Sequence, residues 1–255
     1  AYNPNEVVAD IKDAIEEFPL PQGYGFEFTG GQEQQAEVME FLSSAFLVAL
    51  FAIFIIIVAQ FNSVVTPFII ILSVLFSTIG VLLGYVATGM NIEIVMTGVG
   101  IISLAGGVVN NAIVLIDYIN LLIKRKREEK GVASMNDLTT EEVKEAIIQG
   151  GATRLRPVLL TAITTVLGLI PLAIGFNFNF FTLISSLDPQ FFIGGDNAAF
   201  WGTMAWTVIY GLVFATFLTL IVVPVMYWLA YQIKYGFNRL LNSSTTADMD
   251  FEPAE

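Results

Sequence analysis

The chain has 255 residues, of which 55% are hydrophobic and only 13% charged, and its mean hydropathy is +0.73. Soluble domains rarely reach such values, and the apolar residues come in long uncharged runs, so a polytopic membrane protein is expected. The net charge is −12, and neither Cys nor His is present, which excludes disulfides, thiolate metal sites and the commonest proton shuttle.

Residues 1–40 read as water-soluble. Val7, Val8, Ile11, Ala14, Ile15 and Phe18 fall at helical spacing behind Asn5 as an N-cap. After "PLPQG", the alternation of Tyr24, Phe26 and Phe28 with Gly25 and Glu27 predicts a strand. One helix and one strand cannot bury a core alone, so this segment is expected to close a larger αβ subdomain supplied from elsewhere. The stretch has no basic start and no apolar h-region, and the chain opens without Met. It therefore reads as a portion of a longer polypeptide.

Five apolar spans follow, at about 41–60, 66–87, 94–123, 157–176 and 200–233, each long enough for a bilayer core. Pro67 and Pro157 stand at the expected first turns of the second and fourth. The fold class is thus an all-α bundle of five transmembrane helices with a short α/β segment at the N-terminus. Of the 11 Lys and Arg, eight lie in 124–156 and two are Lys234 and Arg239, whereas 88–93 and 177–199 hold none. The positive-inside rule then makes the 124–156 loop and the C-terminus cytoplasmic, with 1–40 and 177–199 outside. Within the basic loop, Thr139 and Glu142 form a capping box ahead of Val143, Ala146 and Ile147, which predicts a short helix along the inner surface. The 177–199 loop ends in a Gly-rich turn, "GGDNAAFWG", and the polar tail within 234–255 reads as disordered.

Chemistry-bearing residues concentrate inside two spans. On the third, Gly100, Ser103, Gly107, Asn110, Asn111 and Val114 make a small or polar stripe, continued by Asp117 two turns beyond Asn110. On the fourth, Arg154, Thr161, Thr164, Thr165 and Gly168 make another. Gly100, Gly107 and Gly168 suit close helix packing, and lipid satisfies neither stripe, so each is expected to be buried against the other or against a partner. Two readings of the amides stay open. They can be inter-helix hydrogen bonds, typically about 0.6 kcal/mol each, or parts of a transport path. Arg154 and Arg156 also serve as anchors at the inner interface, and Trp201, Trp206 and Trp228 as interface belt residues. Enzymatic readings lack parts: there is no phosphate loop and no Ser with a base beside it, and no metal site or cofactor is expected.

"GGVVNNAIVLIDYINLL", "EAIIQGGATRLRPVLLTAITTVLGLIPLAIG" and "GGDNAAFWGTMAWTVIYGLVFATFLTLIVVPVMY", in this order, resemble a resistance–nodulation–division (RND) efflux permease. The similarity is closest to the hydrophobe/amphiphile branch and to its C-terminal portion, the end of the porter domain and transmembrane helices eight to twelve. The resemblance implies a proton-driven antiporter in the bacterial inner membrane. Such a pump is usually a homotrimer working with a periplasmic adaptor and an outer-membrane channel, its proton-binding Asp pair lying on helix four of the N-terminal half. It also implies that Asn110 stands where family members often have Lys, followed by Asn111, and that Arg154 and Thr161 match the Arg and Thr of the same polar network. Heavy-metal efflux by the same superfamily is the alternative within transport, and a non-transporting scaffold subunit of an envelope complex the alternative outside it. Partners expected are the remainder of the permease and membrane lipid, with no nucleic acid. On its own the chain is expected to transport nothing.

Overall fold

The computed structural model describes residues 4–16, 31–132 and 138–249. Its elements in chain order are α1 (Pro4–Glu16), α2 (Gly31–Phe61), α3 (Val65–Thr88), α4 (Ile94–Lys130), α5 (Thr140–Ile174), β1 (Phe176–Asn177), α6 (Phe180–Ser186), β2 (Phe192–Ile193) and α7 (Asp196–Met249). The chain divides into two compact units, 1–38 and 39–255. In the first, α1 begins at Pro4, so Asn5 sits inside the first turn and not at the N-cap. Proline suits that start, because its missing N–H is one the first turn could not use. Val7 and Ile11 are exposed. The strand expected at 24–28 lies outside the described residues.

In the second unit α2, α3, α4, α5 and α7 are long and apolar enough to cross a membrane. The connections between them are built from left-handed caps. Gly89, Gly131 and Gly175 end α3, α4 and α5 at φ of 65°, 66° and 70°, a region glycine enters without steric cost.

The hub of this unit is α7, packed against α3, α4 and α5. Where the helices meet, glycine lets one backbone accept a neighbour's side chain. Gly80 faces Phe214, Gly84 faces Tyr210, and Gly211 faces Leu104 and Val81. At Gly100 an added Cβ would stand 2.8 Å from Thr207 Cβ, and at Gly150 2.7 Å from Ile119 Cγ1. The fully buried side chains Tyr85, Ile70, Leu104, Leu115, Ile116, Ile119, Val143 and Val223 fill the space between these contacts. By contrast α2 keeps Leu47, Val48, Phe51, Ile55 and Ile56 exposed, as a helix facing lipid or further protein does.

Two expectations are corrected. The helix of the basic loop and the fourth span are one helix, α5, with Pro157 and Pro171 inside it. The Thr139–Glu142 capping box forms, but at the start of this longer helix. Val143, Ala146, Ile147 and Gly150 pack into the core, which draws the first half of α5 into the bundle instead of laying it along a surface. Membrane helices tolerate an internal proline where side chains and neighbours compensate the freed backbone groups. The second concerns the end of the last helix: α7 continues to Met249, past the expected end of the span at Ile233, with no proline within it after Pro224.

Beyond the apolar stretch of α5, its charged first turns are tied to α4. Lys126 pairs with Glu145 at 2.6 Å and Lys130 pairs with Glu142. The Lys130 ammonium, joined by the amide and hydroxyl of Thr139, holds the Glu142 carboxyl down to about 2. Thr139→Ala is expected to cost about 1 kcal/mol. Hydrogen exchange should read it as faster amide exchange over the first turn of α5, with the distal half unchanged.

The connection from α5 to α7 is a folded hairpin rather than a simple loop. Phe176 pairs with Ile193 and Asn177 with Phe192, and the Asn177 amide donates to the carbonyls of Gly175 and Gly194 at 3.0 and 2.9 Å. Between the two strands Asn179 caps α6, its Oδ1 accepting from the amides of Phe181 and Thr182.

Candidate functional site: an open polar face on two membrane helices

The stripe on α4 does not point into the bundle. Ser103, Gly106, Gly107, Asn110, Val114 and Asp117 are all exposed, and Asn111 is half-buried. The opposite side of the same helix, through Leu104, Val108, Ala112, Leu115 and Ile119, is buried. The two sides follow from the 3.6-residue repeat, which sends the large aliphatic residues to one face and the small and polar ones to the other. Neither Asn110 nor Asn111 forms a side-chain hydrogen bond with any described residue, and an added Cβ at Gly106 or Gly107 would meet nothing within 4 Å.

The α5 stripe behaves in the same way. Thr161, Thr164, Thr165 and Gly168 are exposed, and Gly168 too has no neighbour within 4 Å of an added Cβ. The three hydroxyls are satisfied within the helix, donating to the carbonyls of Val158, Leu160 and Thr161 at 2.9, 2.9 and 2.8 Å. Threonine is therefore tolerated on this face without a partner helix, whereas the asparagine amides have no such local outlet. The two stripes are not buried against each other, contrary to the first of the alternatives read from the sequence. Of the three candidate packing glycines, Gly100 alone has a helix seated on it among the described residues, and that helix is α7.

Where α4 and α5 do meet, Ile119 lies over Gly150 and the Arg154 guanidinium sits 4.4 Å from the centre of the Tyr118 ring. From these contacts the antiparallel helices run at equal rise, which brings Asn110 level with the turn that holds Thr161. Arg154 is half-buried. The aromatic face supplies one side of its environment, and its Nε is buried without a hydrogen-bond partner among the described residues. In hydrocarbon a cation with an unused donor is costly unless an acceptor reaches it.

Sequence reasoning missed a second polar cluster, which is wholly internal. Tyr85, only 2% exposed, places its hydroxyl 2.7 Å from Thr207 Oγ1, 3.1 Å from Thr97 Oγ1 and 3.3 Å from the Thr203 carbonyl. It joins α3, α4 and α7 at one point. A single tyrosine near the end of an apolar run looks like an interface residue, and only the threonines at helical spacing on α7 hint otherwise. Tyr85→Phe is expected to cost about 1–2 kcal/mol, read as a lower unfolding temperature of the purified protein with its helix content unchanged.

Five helices long and apolar enough to cross a membrane, two of them sharing an open small and polar face, describe a polytopic membrane protein. Residues 3–231 match the sequence profile of the AcrB/AcrD/AcrF family. The chain belongs to that family, the RND efflux permeases, whose members are transporters and not enzymes. It is 33% identical to the swarming motility protein SwrC of Bacillus subtilis, over 88% of this chain and 18% of SwrC. Identity to the cobalt-zinc-cadmium resistance protein CzcA of Cupriavidus metallidurans is 29%, again over 88% of this chain and 18% of CzcA. The multidrug resistance protein MdtF of Escherichia coli K12 is 27% identical over 61% of this chain and 14% of its own length. Among solved structures, a heavy metal efflux pump superposes with a TM-score of 0.68 at 25% identity, over 91% of this chain and 20% of the pump. The chain spans 14–20% of the length of these relatives.

Proposed function

We propose that the chain is the C-terminal membrane portion, transmembrane helices eight to twelve, of a proton-driven RND efflux transporter of the hydrophobe/amphiphile type. The observation that carries this reading is the open face formed by Gly107, Asn110 and Asp117 on α4 with Thr161 and Gly168 on α5, beside an Arg154 whose Nε has no partner. That face suits a helix from the N-terminal half bearing the proton-binding carboxylates. An asparagine can serve both states of such a carboxyl, donating through Nδ2 to the ionised form and accepting through Oδ1 from the protonated one. Arg154 supplies what the neutral amides do not, a positive charge that favours the ionised form. The distribution of Lys and Arg supports a cytoplasmic C-terminus in a bacterial inner membrane. Assembly as a homotrimer with a periplasmic adaptor and an outer-membrane channel follows from the same reading.

The test is Asn110→Leu in the complete transporter. Proton-coupled export is expected to fall at least about ten-fold, while binding of substrate without a gradient stays the same. Unchanged export would remove Asn110 from the coupling path. A second reading, heavy-metal efflux, is favoured by the CzcA match and by the superposed metal pump. Expressing the complete transporter in a pump-deficient host separates the two. The proposed reading expects protection against apolar cationic dyes and none against cobalt, zinc or cadmium.

A further inference from the structure

A cavity of about 610 Å³ opens between the end of α2, the start of α3, α4 and α7. Its size falls in the range that takes a small molecule or one chain of an amphiphile. Phe61, Ile69, Ala230 and Ile233 make its walls, and Asn120 and Tyr227 bring polar groups to it. We propose that it is a binding site for a membrane phospholipid, which places one acyl chain in the cavity and an ester or phosphate oxygen against Asn120.

The assignment rests on depth, donors and access. Asn120 stands one turn before Lys124 and Arg125, where the apolar stretch of α4 ends and exposed cations begin. That is the level at which glycerol esters lie beneath a headgroup. Tyr227 donates to Asn120 Oδ1 at 2.5 Å, which fixes the amide and leaves the two protons of Nδ2 without an acceptor among the described residues. Those protons call for an oxygen. The lining adds hydroxyls at Ser63, Thr66 and Tyr231 but no Asp or Glu, and a purely hydrocarbon occupant would leave the amide protons unmet. A hydrophilic solute, conversely, would waste the apolar walls. An amphiphile with acceptor oxygens at one end satisfies both.

Access favours lipid. Val65 and Ile233 line the cavity yet are 52% and 65% exposed, so its mouth opens outward from the five-helix unit. Lys124, one turn beyond Asn120 on the same face, is held among the described residues only by a long surface contact to Glu128 at 3.8 Å. It can turn to a lipid phosphate at little cost.

The experiment uses the complete transporter in nanodiscs containing a trace of phosphatidylglycerol with a diazirine in one acyl chain. After photolysis and digestion, Tyr227 and Ile69 are expected to carry the label. Ala230→Trp, which fills the cavity, should reduce labelling of Ile69 at least about five-fold, while the exposed Phe217 elsewhere on α7 is labelled as before. Asn120→Leu keeps the volume and removes the amide, and should lower labelling of both residues about five-fold, the weight of one hydrogen bond. This second variant keeps the test decisive if Ala230→Trp fails to fold. No label on Ile69 and Tyr227 in the unsubstituted protein, or crosslinks there to another segment of the transporter, overturns the proposal. So does labelling that Asn120→Leu leaves unchanged.

Discussion

Gly211→Leu is expected to prevent the five-helix unit from assembling. At Gly211 an added Cβ would collide with Leu104 of α4 and would stand 2.8 Å from Val81 Cγ2 of α3. Both neighbours are buried, at 2% and 0% exposure, so neither can swing aside into lipid. Overpacking of a filled interior costs about 1–3 kcal/mol for a methylene or two, and a leucine adds far more volume at a point where three helices meet. Gly211→Ala should therefore lower stability by about 3 kcal/mol, and Gly211→Leu should leave only aggregated or degraded protein. The control is Gly107→Leu on the open face, where an added Cβ meets nothing within 4 Å. In the isolated 255-residue chain it should leave expression and unfolding temperature close to those of the parent. If Gly211→Leu and Gly107→Leu were equally well folded, α7 would not be the hub of this unit.

Hydropathy made the spans legible. A membrane interior excludes charge so strongly that runs such as 66–87 announce themselves, and the observed helices α3 and α4 begin within one or two residues of expectation. Proline was less informative. At Pro67 it sits in a first turn, as expected, but Pro157 stands in mid-helix. Position in the helix cannot be read from the residue, because packing of Val143 and Ile147 against α4 decides whether the helix starts earlier. The stripes on α4 and α5 were visible as patterns, but their direction was not. Periodicity tells which residues share a face and is silent on which face is covered, so mutual burial of the stripes was a fair expectation that this structure does not meet. The Tyr85 cluster and the cavity beside Asn120 depend on residues more than a hundred positions apart, Tyr85 with Thr207 and Asn120 with Tyr227. No local pattern encodes such pairs.

Removing the charge of Arg154 should have the largest effect on transport while leaving the fold intact. With its guanidinium 4.4 Å from the Tyr118 ring centre and its Nε without a partner, the residue is held in place from one side and has donors to spare. If a carboxylate of the N-terminal half takes them, the cation lowers that group's proton affinity by about 1–3 pH units. In Arg154→Gln the carboxylate then binds its proton more tightly. The midpoint of the pH–rate profile for export should move to higher pH by a similar amount, with export near neutrality falling at least about ten-fold. Arg154→Lys keeps the charge but loses the planar stacking and the forked donors, and should recover only part of the activity. Tyr118→Leu separates structure from electrostatics. It removes the ring and leaves the charge, so it should lower the unfolding temperature by the equivalent of about 0.5–2 kcal/mol without moving the pH midpoint. A profile that stays where it is in Arg154→Gln would mean that Arg154 only packs α5 onto α4 and takes no part in the proposed coupling.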